Sequence, residues 1–392
     1  MPPSCLDSVD ANDSGQVDLS DPIYLLIHLF ADGGAPPEPH LACGADATAD
    51  VLGCERYEMC RVDEFTRFVT AYDILDTVAG KGEFREKGDN RWEERFEGGP
   101  AIDAELSRPH TAMADEAGLI YIADKDAHAI RKVTLDGNIV TIAGTSTPGD
   151  GDDNPGPGTE RSLTRPNGLY VRGDGTAYVL DVGNQKVRRL SPDGVLTLMF
   201  WIPGFELDRG LWVSGDEHTV FVSANEFLLR WTAADGLENY TPGQVYLKLE
   251  NLDVDSRGNV ILADRDANRL YMVTPAREVI PIAGNGTPDG GGDGYPALET
   301  GINGVRGVWI VNDDSYLLAT HEGSQVWYVD SDGIAHIFLD GAPTHVHAGD
   351  GLHFRTPGLK ISEAGNITMG PHGNIFVTEN DFGYVRIIRR KC

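Results

Sequence analysis

A unit that recurs along most of the chain constrains its fold more than any other feature. In each copy, short runs of β-branched and aromatic residues are separated by turn pairs such as Asp-Gly and Gly-Asn. Asp136-Gly137 and Asp193-Gly194 are two of these turns. Short apolar runs with such turns predict antiparallel hairpins joined into a meander of three or four strands.

The copies must bury one another's faces, because a lone four-stranded sheet leaves both faces exposed. Radial stacking of the sheets as blades of a β-propeller solves this problem. Aligning the copies on their first strand predicts six blades, and one column of that alignment holds Thr111, Gly168, Gly210, Asn251, Gly307 and Asn366.

The first and last copies are expected to share a blade. The sixth copy stops after its third strand, whereas Ile74–Ala79 matches the outer strand of the other copies and precedes the first complete blade. We therefore expect this segment to pair with Tyr384–Ile388, which closes the ring and leaves no open sheet edge.

The repeats resemble NHL repeats over about four-fifths of the chain. The resemblance lies in an Asp-x-x-Asn-x-Arg-Val-like stretch at Asp181–Val187, which recurs at Asp264–Leu270, while Thr320 and Glu379 depart from the Asp column. It implies an all-β, six-bladed propeller of NHL type over residues 63–392. A small module of helix and loop, residues 1–62, precedes it.

The N-terminal module contains a segment that fits the template of an EF-hand-type calcium loop. Oxygen ligands fall at positions one, three and five, a glycine stands at position six, and a backbone carbonyl follows at position seven. The expected calcium ligands are Asp10, Asn12, Ser14, Gln16, Asp18 and Asp21. With Asp21 at the last position and a helix expected over Pro22–Phe30, the loop resembles a dockerin repeat. A second loop, usual in dockerins, is not found in residues 32–60.

Four of the five cysteines fall within the first sixty residues: Cys5, Cys43, Cys54 and Cys60. Without a Cys-x-x-Cys pair they favour disulfides over a metal knuckle, in any of three connectivities. Cys392 is then free, intermolecular or paired with one of the four. Disulfides indicate an oxidising compartment, so we expect an extracellular or cell-surface protein.

The formal net charge of −29 argues against a nucleic-acid partner, which needs clustered lysine and arginine. The negative charge either favours cations or cationic partners or reflects solubility alone. No run approaches the roughly 20 apolar residues of a membrane span. No signal peptide is visible after Met1, so either a leader has been removed or the numbering begins inside a longer protein.

Two groups of residues are candidate sites. The alignment brings the residues at the start of the first strands to one mouth of the central channel: His110, Asn167, Arg209, Glu250 and Arg306. They either hold a small polar or anionic ligand or form a self-satisfied polar ring. His345 and His347, two residues apart on one strand face, form a metal site with Asp350 or are isolated surface histidines.

The sequence is consistent with two functions. The first is an extracellular binding or structural protein, with calcium as cofactor, that presents the propeller to a protein or polysaccharide partner or to a second copy of itself. The second is a metal-dependent lyase or lactonase acting at the channel, since propellers related to NHL proteins include such enzymes. The second predicts at least three His, Asp or Glu side chains converging at the channel, and the first predicts none.

Overall fold

The computed structural model describes residues 19–30, 63–82, 88–341 and 346–391. The chain divides into two compact units, residues 1–67 and 68–392. The helices are α1 (Ser20–Phe30) and α2 (Glu64–Thr70), the latter running across the division. Among the described residues, no helix combines the length and apolarity needed to cross a membrane.

The predicted calcium loop and disulfides fall almost entirely outside the described residues. Asp21 is the exception, and only its backbone, in the first turn of α1, is described. The undescribed ligands are Asp10, Asn12, Ser14, Gln16 and Asp18, and the undescribed cysteines are Cys5, Cys43, Cys54, Cys60 and Cys392. Calcium binding and cysteine pairing therefore stay predictions.

The second unit is a ring of six antiparallel sheets, as the repeats predicted. Strand β1 (Tyr72–Ala79) comes first in the chain. Blade 1 contains β2 (Pro109–Ala114), β3 (Ile120–Asp124), β4 (Ala129–Val133) and β5 (Ile139–Ala143). Blade 2 contains β6 (Gly156–Pro157), β7 (Pro166–Val171), β8 (Ala177–Asp181), β9 (Lys186–Leu190) and β10 (Val195–Trp201). Blade 3 contains β11 (Leu211–Val213), β12 (Thr219–Ala224), β13 (Phe227–Thr232) and β14 (Gly236–Asn239).

The remaining blades repeat the pattern. Blade 4 contains β15 (Leu249–Val254), β16 (Val260–Asp264), β17 (Arg269–Val273) and β18 (Val279–Ala283). Blade 5 contains β19 (Tyr295–Pro296), β20 (Val305–Asn312), β21 (Ser315–Thr320), β22 (Gln325–Val329) and β23 (Ile334–Leu339). Blade 6 contains β24 (Leu352–His353), β25 (Ala364–Met369), β26 (Ile375–Glu379) and β27 (Tyr384–Arg390), together with β1. Short 3-10 turns occur at Glu94–Phe96, Ala101–Asp103, Lys125–Ala127, Gly158–Glu160, Val182–Asn184 and Ala297–Glu299.

Strand β1 closes the ring as expected. It pairs antiparallel with β27, with Leu75 opposite Ile388 and Thr77 opposite Arg386. Its other edge pairs with the two-residue strand β24, where Ile74 lies opposite His353. Blade 6 thus joins the two ends of the propeller sequence through backbone hydrogen bonds.

Apolar layers fill the space between successive blades. Between blades 6 and 1, for example, Ile122 and Val133 share a core with Phe376 and Ile387. Burying each such side chain contributes about 1.5–3 kcal/mol. Each blade is therefore stabilised by its two neighbours, which fixes the spacing of the loops at the ends of the channel.

The acidic residue that ends the second strand of a blade anchors the loop leading into that blade. In blade 2, the Asp181 carboxylate accepts a hydrogen bond from the Thr164 backbone at 2.8 Å and pairs with Arg188 at 3.0 Å. In blade 6, Glu379 replaces the aspartate and still pairs with Arg386 at 2.8 Å. The NHL-like Asp position is thus structural in these blades, and the glutamate departure preserves the pair with the arginine seven residues further on.

Candidate functional site

The five residues predicted to converge do lie together at one end of the central channel, here called the channel mouth. The first strands of the blades contact one another around this channel. All five side chains are buried: His110 in β2, Asn167 in β7, Arg209 just before β11, Glu250 in β15 and Arg306 in β20. Residues from five different blades therefore meet in one polar cluster.

Glu250 joins two of the arginines. Its carboxylate lies 2.7 Å from Nε of Arg209 and 3.6 Å from Nε of Arg306. Arg209 also donates from Nη1 to the carbonyl oxygen of Gly365 at 2.7 Å. Since Arg209 leads into blade 3 and Gly365 lies in blade 6, this arginine spans the channel between opposite blades.

Within the channel, side chains of the first strands also link blades, including blades 4 and 6, which are not neighbours. Asn251 donates to the Asn366 side chain at 2.8 Å, and Asn366 in turn donates to the Thr111 hydroxyl at 3.1 Å. Thr111 donates to the Asn167 carbonyl at 3.3 Å. These polar side chains bond to one another, as the hypothesis of a self-satisfied polar ring predicts.

His110 departs from that self-satisfied pattern. It is 1% exposed, and neither ring nitrogen has a hydrogen-bond partner among the described residues. Burial, followed by the charges of Lys125, Arg209 and Arg108, holds its pKa well below the ordinary value. The imidazole is therefore neutral, with a donor and an acceptor both unused.

Lys125 is a cation close to His110 at the mouth. Its ammonium forms no ion pair within the described ranges, although the side chain is half-buried. Burial and the charges of Arg108 and Arg209 lower its pKa to about 8. Because the lowered pKa means that the charged form is disfavoured, a nearby anion would stabilise the ammonium.

Asp208 is an acidic side chain beside these cations. It accepts a hydrogen bond from Asn167 at 3.3 Å and lies 3.6 Å from Nε of Arg209. Burial and the neighbouring Glu250 carboxylate raise its pKa above the ordinary value. The two carboxyls therefore titrate as a pair.

A cluster that the sequence pattern did not reveal lies on the blade 5 and blade 6 side of the mouth. The ligand atoms of His321, Glu363 and Asp381 all lie within 4.8 Å of one another, and Nε2 of His321 is 4.0 Å from Oδ2 of Asp381. The repeat alignment could have placed these three residues at one end of the ring. His321 and Asp381 follow the ends of second strands, and Glu363 precedes a first strand, so all three fall at the same end of antiparallel blades.

Of the histidine candidate, the structure describes His347 and Asp350, whereas His345 lies outside the described residues. His347 Nε2 is 3.7 Å from Oδ2 of Asp350, and its Nδ1 is 3.1 Å from Oε1 of Glu379. Arg386 pairs with both carboxylates at 2.8 Å. Two of the three predicted ligands are therefore close together, within an ion-pair network that contains an arginine.

The fold is a six-bladed β-propeller, and its repeat resembles the NHL repeat. Residues 100–191, which span blade 1 and most of blade 2, match the family model of the Teneurin NHL domain. The chain is 26% identical to mouse Teneurin-3 over 198 residues and 32% identical to human Teneurin-1 over 210 residues. These matches cover 46% and 47% of the chain but only 7% of each teneurin.

Solved structures share the fold at low identity. A structural genomics protein of unknown function from Bacteroides thetaiotaomicron superposes with a TM-score of 0.65 at 12% identity, covering 81% of this chain and 76% of its own. A streptogramin B lyase (TM-score 0.51, 14% identity, 73% and 94%) and a gluconolactonase from Xanthomonas campestris (0.51, 13%, 82% and 92%) also match. At these identities the matches concern the fold alone.

Proposed function

We propose that this protein is an extracellular binding or assembly protein whose propeller recognises a protein or polysaccharide partner at the channel mouth. One observation carries the proposal: a half-buried Lys125 ammonium without an ion pair among the described residues adjoins a buried His110 with two unpaired ring nitrogens. Buried polar groups without partners are costly, so a partner that brings an acidic group would complete this site.

The charge distribution supports an acidic group as the feature recognised. The chain as a whole carries a formal charge of −29. At the mouth, Glu250 offsets Arg209 and Arg306, and Asp381 offsets Arg108, which leaves Lys125 as the cation without an ion pair among the described residues there. A single unpaired cation on an acidic protein selects partners by position rather than by overall attraction. The predicted disulfides and calcium loop support the extracellular setting.

The test compares two lysine variants of the full chain by biolayer interferometry, using acidic and neutral polysaccharides and acidic peptides as probes. Lys125→Ala removes the unpaired cation, while Lys132→Ala removes the same charge from β4 of the same blade. We expect Lys125→Ala to weaken binding of acidic probes about tenfold or more, with Lys132→Ala unchanged. Equal binding by both variants would rule out the mouth as the recognition site.

A metal-dependent lyase or lactonase remains the second candidate. His321, Glu363 and Asp381 form a cluster of three side chains of the kind that this hypothesis predicted and the binding hypothesis did not. Hydrolysis of lactones and eliminative cleavage of cyclic esters would be assayed with Zn²⁺, Mn²⁺ or Ca²⁺ added. Rates equal to the uncatalysed reaction with every ion would eliminate this candidate.

A further inference from the structure

We propose that His321, Glu363 and Asp381 bind one divalent transition-metal ion, with Zn²⁺ as the test ion, at the channel mouth. Such an ion would bind there whether the mouth recognises a partner or catalyses a reaction. The three ligand atoms lie within 4.8 Å of one another. Zinc–ligand bonds are about 2.0–2.2 Å, so two ligands of a tetrahedral ion are about 3.4 Å apart. The side chains must therefore move closer by about 1 Å to close the site around an ion.

The imidazole of His321 is buried and has the capacity to bind a ligand. It is 7% exposed, its Nδ1 has no hydrogen-bond partner among the described residues, and its Nε2 faces the Asp381 carboxylate at 4.0 Å. A 4.0 Å separation is too long for a hydrogen bond. Buried imidazoles normally bond through at least one nitrogen, so this arrangement calls for a ligand between the two groups.

Asp381 is oriented as metal-binding carboxylates are. Its Oδ1 accepts hydrogen bonds from Nε of Arg108 at 3.1 Å and Nη2 at 3.0 Å, and its Oδ2 lies 4.0 Å from Nε2 of His321. A fixed partner on the second oxygen holds a ligating carboxylate in place. The same Arg108 places a positive charge nearby, which weakens the site for any cation and makes Glu363 essential to offset it.

The donor set selects the kind of ion. One imidazole nitrogen with two carboxylates suits zinc, manganese or ferrous iron, whereas calcium takes oxygen ligands alone. The site is therefore chemically distinct from the calcium loop predicted near the N-terminus. It is also distinct from the candidate at His345, His347 and Asp350.

Isothermal titration of the EDTA-stripped full chain with Zn²⁺, in excess Ca²⁺, tests the proposal. Asp381→Asn and Glu363→Gln keep side-chain size and remove a ligand charge, while His347→Gln tests the other histidine site. We expect each of the first two variants to weaken one zinc site about tenfold or more, and His347→Gln to bind as the parent chain does. Anomalous diffraction at the zinc edge should place the ion at His321.

Three outcomes would overturn the proposal: no stoichiometric zinc binding by the parent chain, unchanged binding by both ligand variants, or loss of the site only in His347→Gln. Circular dichroism shows whether each variant is folded. If Asp381→Asn proves unfolded because Arg108 loses its partner, then Glu363→Gln decides the question.

Discussion

At the scale of single residues, buried arginines hold the blades to the loops between them. Arg188 is fully buried, and it pairs with Asp181 of its own blade and, at 3.0 Å, with Asp150 of the loop between blades 1 and 2. Arg386 does the same in blade 6 with Glu379 and Asp350. Both aspartates stand between two glycines, in Gly149–Gly151 and Gly349–Gly351, and these short motifs are therefore explained by structure without invoking a ligand.

Arg188→Ala should be strongly destabilising, because it leaves Asp181 buried without its cation. We expect a loss of about 3–5 kcal/mol in the free energy of unfolding. Arg189→Ala, next along the chain, removes a partly exposed pair with Glu217 and should cost less than about 1 kcal/mol. Urea denaturation followed by tryptophan fluorescence measures both. Similar losses for the two variants would contradict this account of the buried pair.

His347 makes stability depend on pH. Burial opposes protonation of its imidazole, but the carboxylates of Asp350 and Glu379 outweigh burial and raise its pKa above 6.5. A raised folded-state pKa adds stability below the unfolded value, and that stability is lost as pH rises through the folded value. Asp350, whose pKa is lowered to about 2 by His347 and Arg386 against the effect of burial, stays ionised throughout this window.

The expected result is a fall in stability of about 1 kcal/mol or less as pH rises from just below 6.5 to above the folded pKa of His347, since the network is partly exposed. His347→Gln should remove this slope. Thermal melts across the range provide the measurement, with His218→Gln, an exposed histidine, as the control. An equal slope in the His347→Gln protein would exclude this residue as the cause.

At the scale of elements, the closing strand decides whether the ring is intact. Strand β1 ends just before Gly80, which has a φ of +94°, and a Cβ at this position would lie 1.8 Å from the carbonyl oxygen of Gly383. The same close approach recurs at Gly144 and Gly284, which follow the outer strands of blades 1 and 4. In all three blades an alanine ends the outer strand and a glycine follows it. The glycine is required because the chain there passes close to the turn before the third strand.

Gly80→Ala should therefore loosen the closure. The matched control is Gly194→Ala, where φ is +86° but no atom lies within 4 Å of the added Cβ. The left-handed conformation costs both variants about 1–2 kcal/mol, and only Gly80→Ala also pushes β1 away from β27. We expect a lower melting temperature for Gly80→Ala and faster hydrogen exchange in β1. Equal exchange in the two variants would show that the close approach is dispensable.

At the scale of the whole molecule, the chain combines two units with different sources of stability. The propeller unit, from residue 68 onward, is held by apolar layers between blades and by its own closure. The N-terminal module depends, by prediction, on calcium and disulfides. Metal binding supplies folding free energy only where its ligands lie.

Chelation should thus leave the propeller folded. We expect EDTA to reduce the helical signal and to leave the β signal in place, and Asp10→Asn to reproduce the effect without chelator. Circular dichroism at two wavelengths separates the signals. A cooperative loss of β structure on chelation would show that the two units depend on each other.

The sequence by itself determined the number of blades, the closure by β1 and the location of the channel mouth. These features follow from local patterns repeated at a regular spacing, since alternating apolar runs and turn pairs specify each blade and each blade needs its neighbours. Even the five residues at the mouth could be placed, because the start of every first strand points to the same end of the ring.

Only the tertiary structure decided which of these side chains satisfy one another. Arg209 reaches Gly365 across the channel, and His321 faces Asp381 from another blade. His347 lies against Glu379 and Arg386. Such contacts join residues that belong to different loops or blades, and their distances depend on the diameter of the closed ring and on side-chain rotamers. No local pattern in the sequence carries that information.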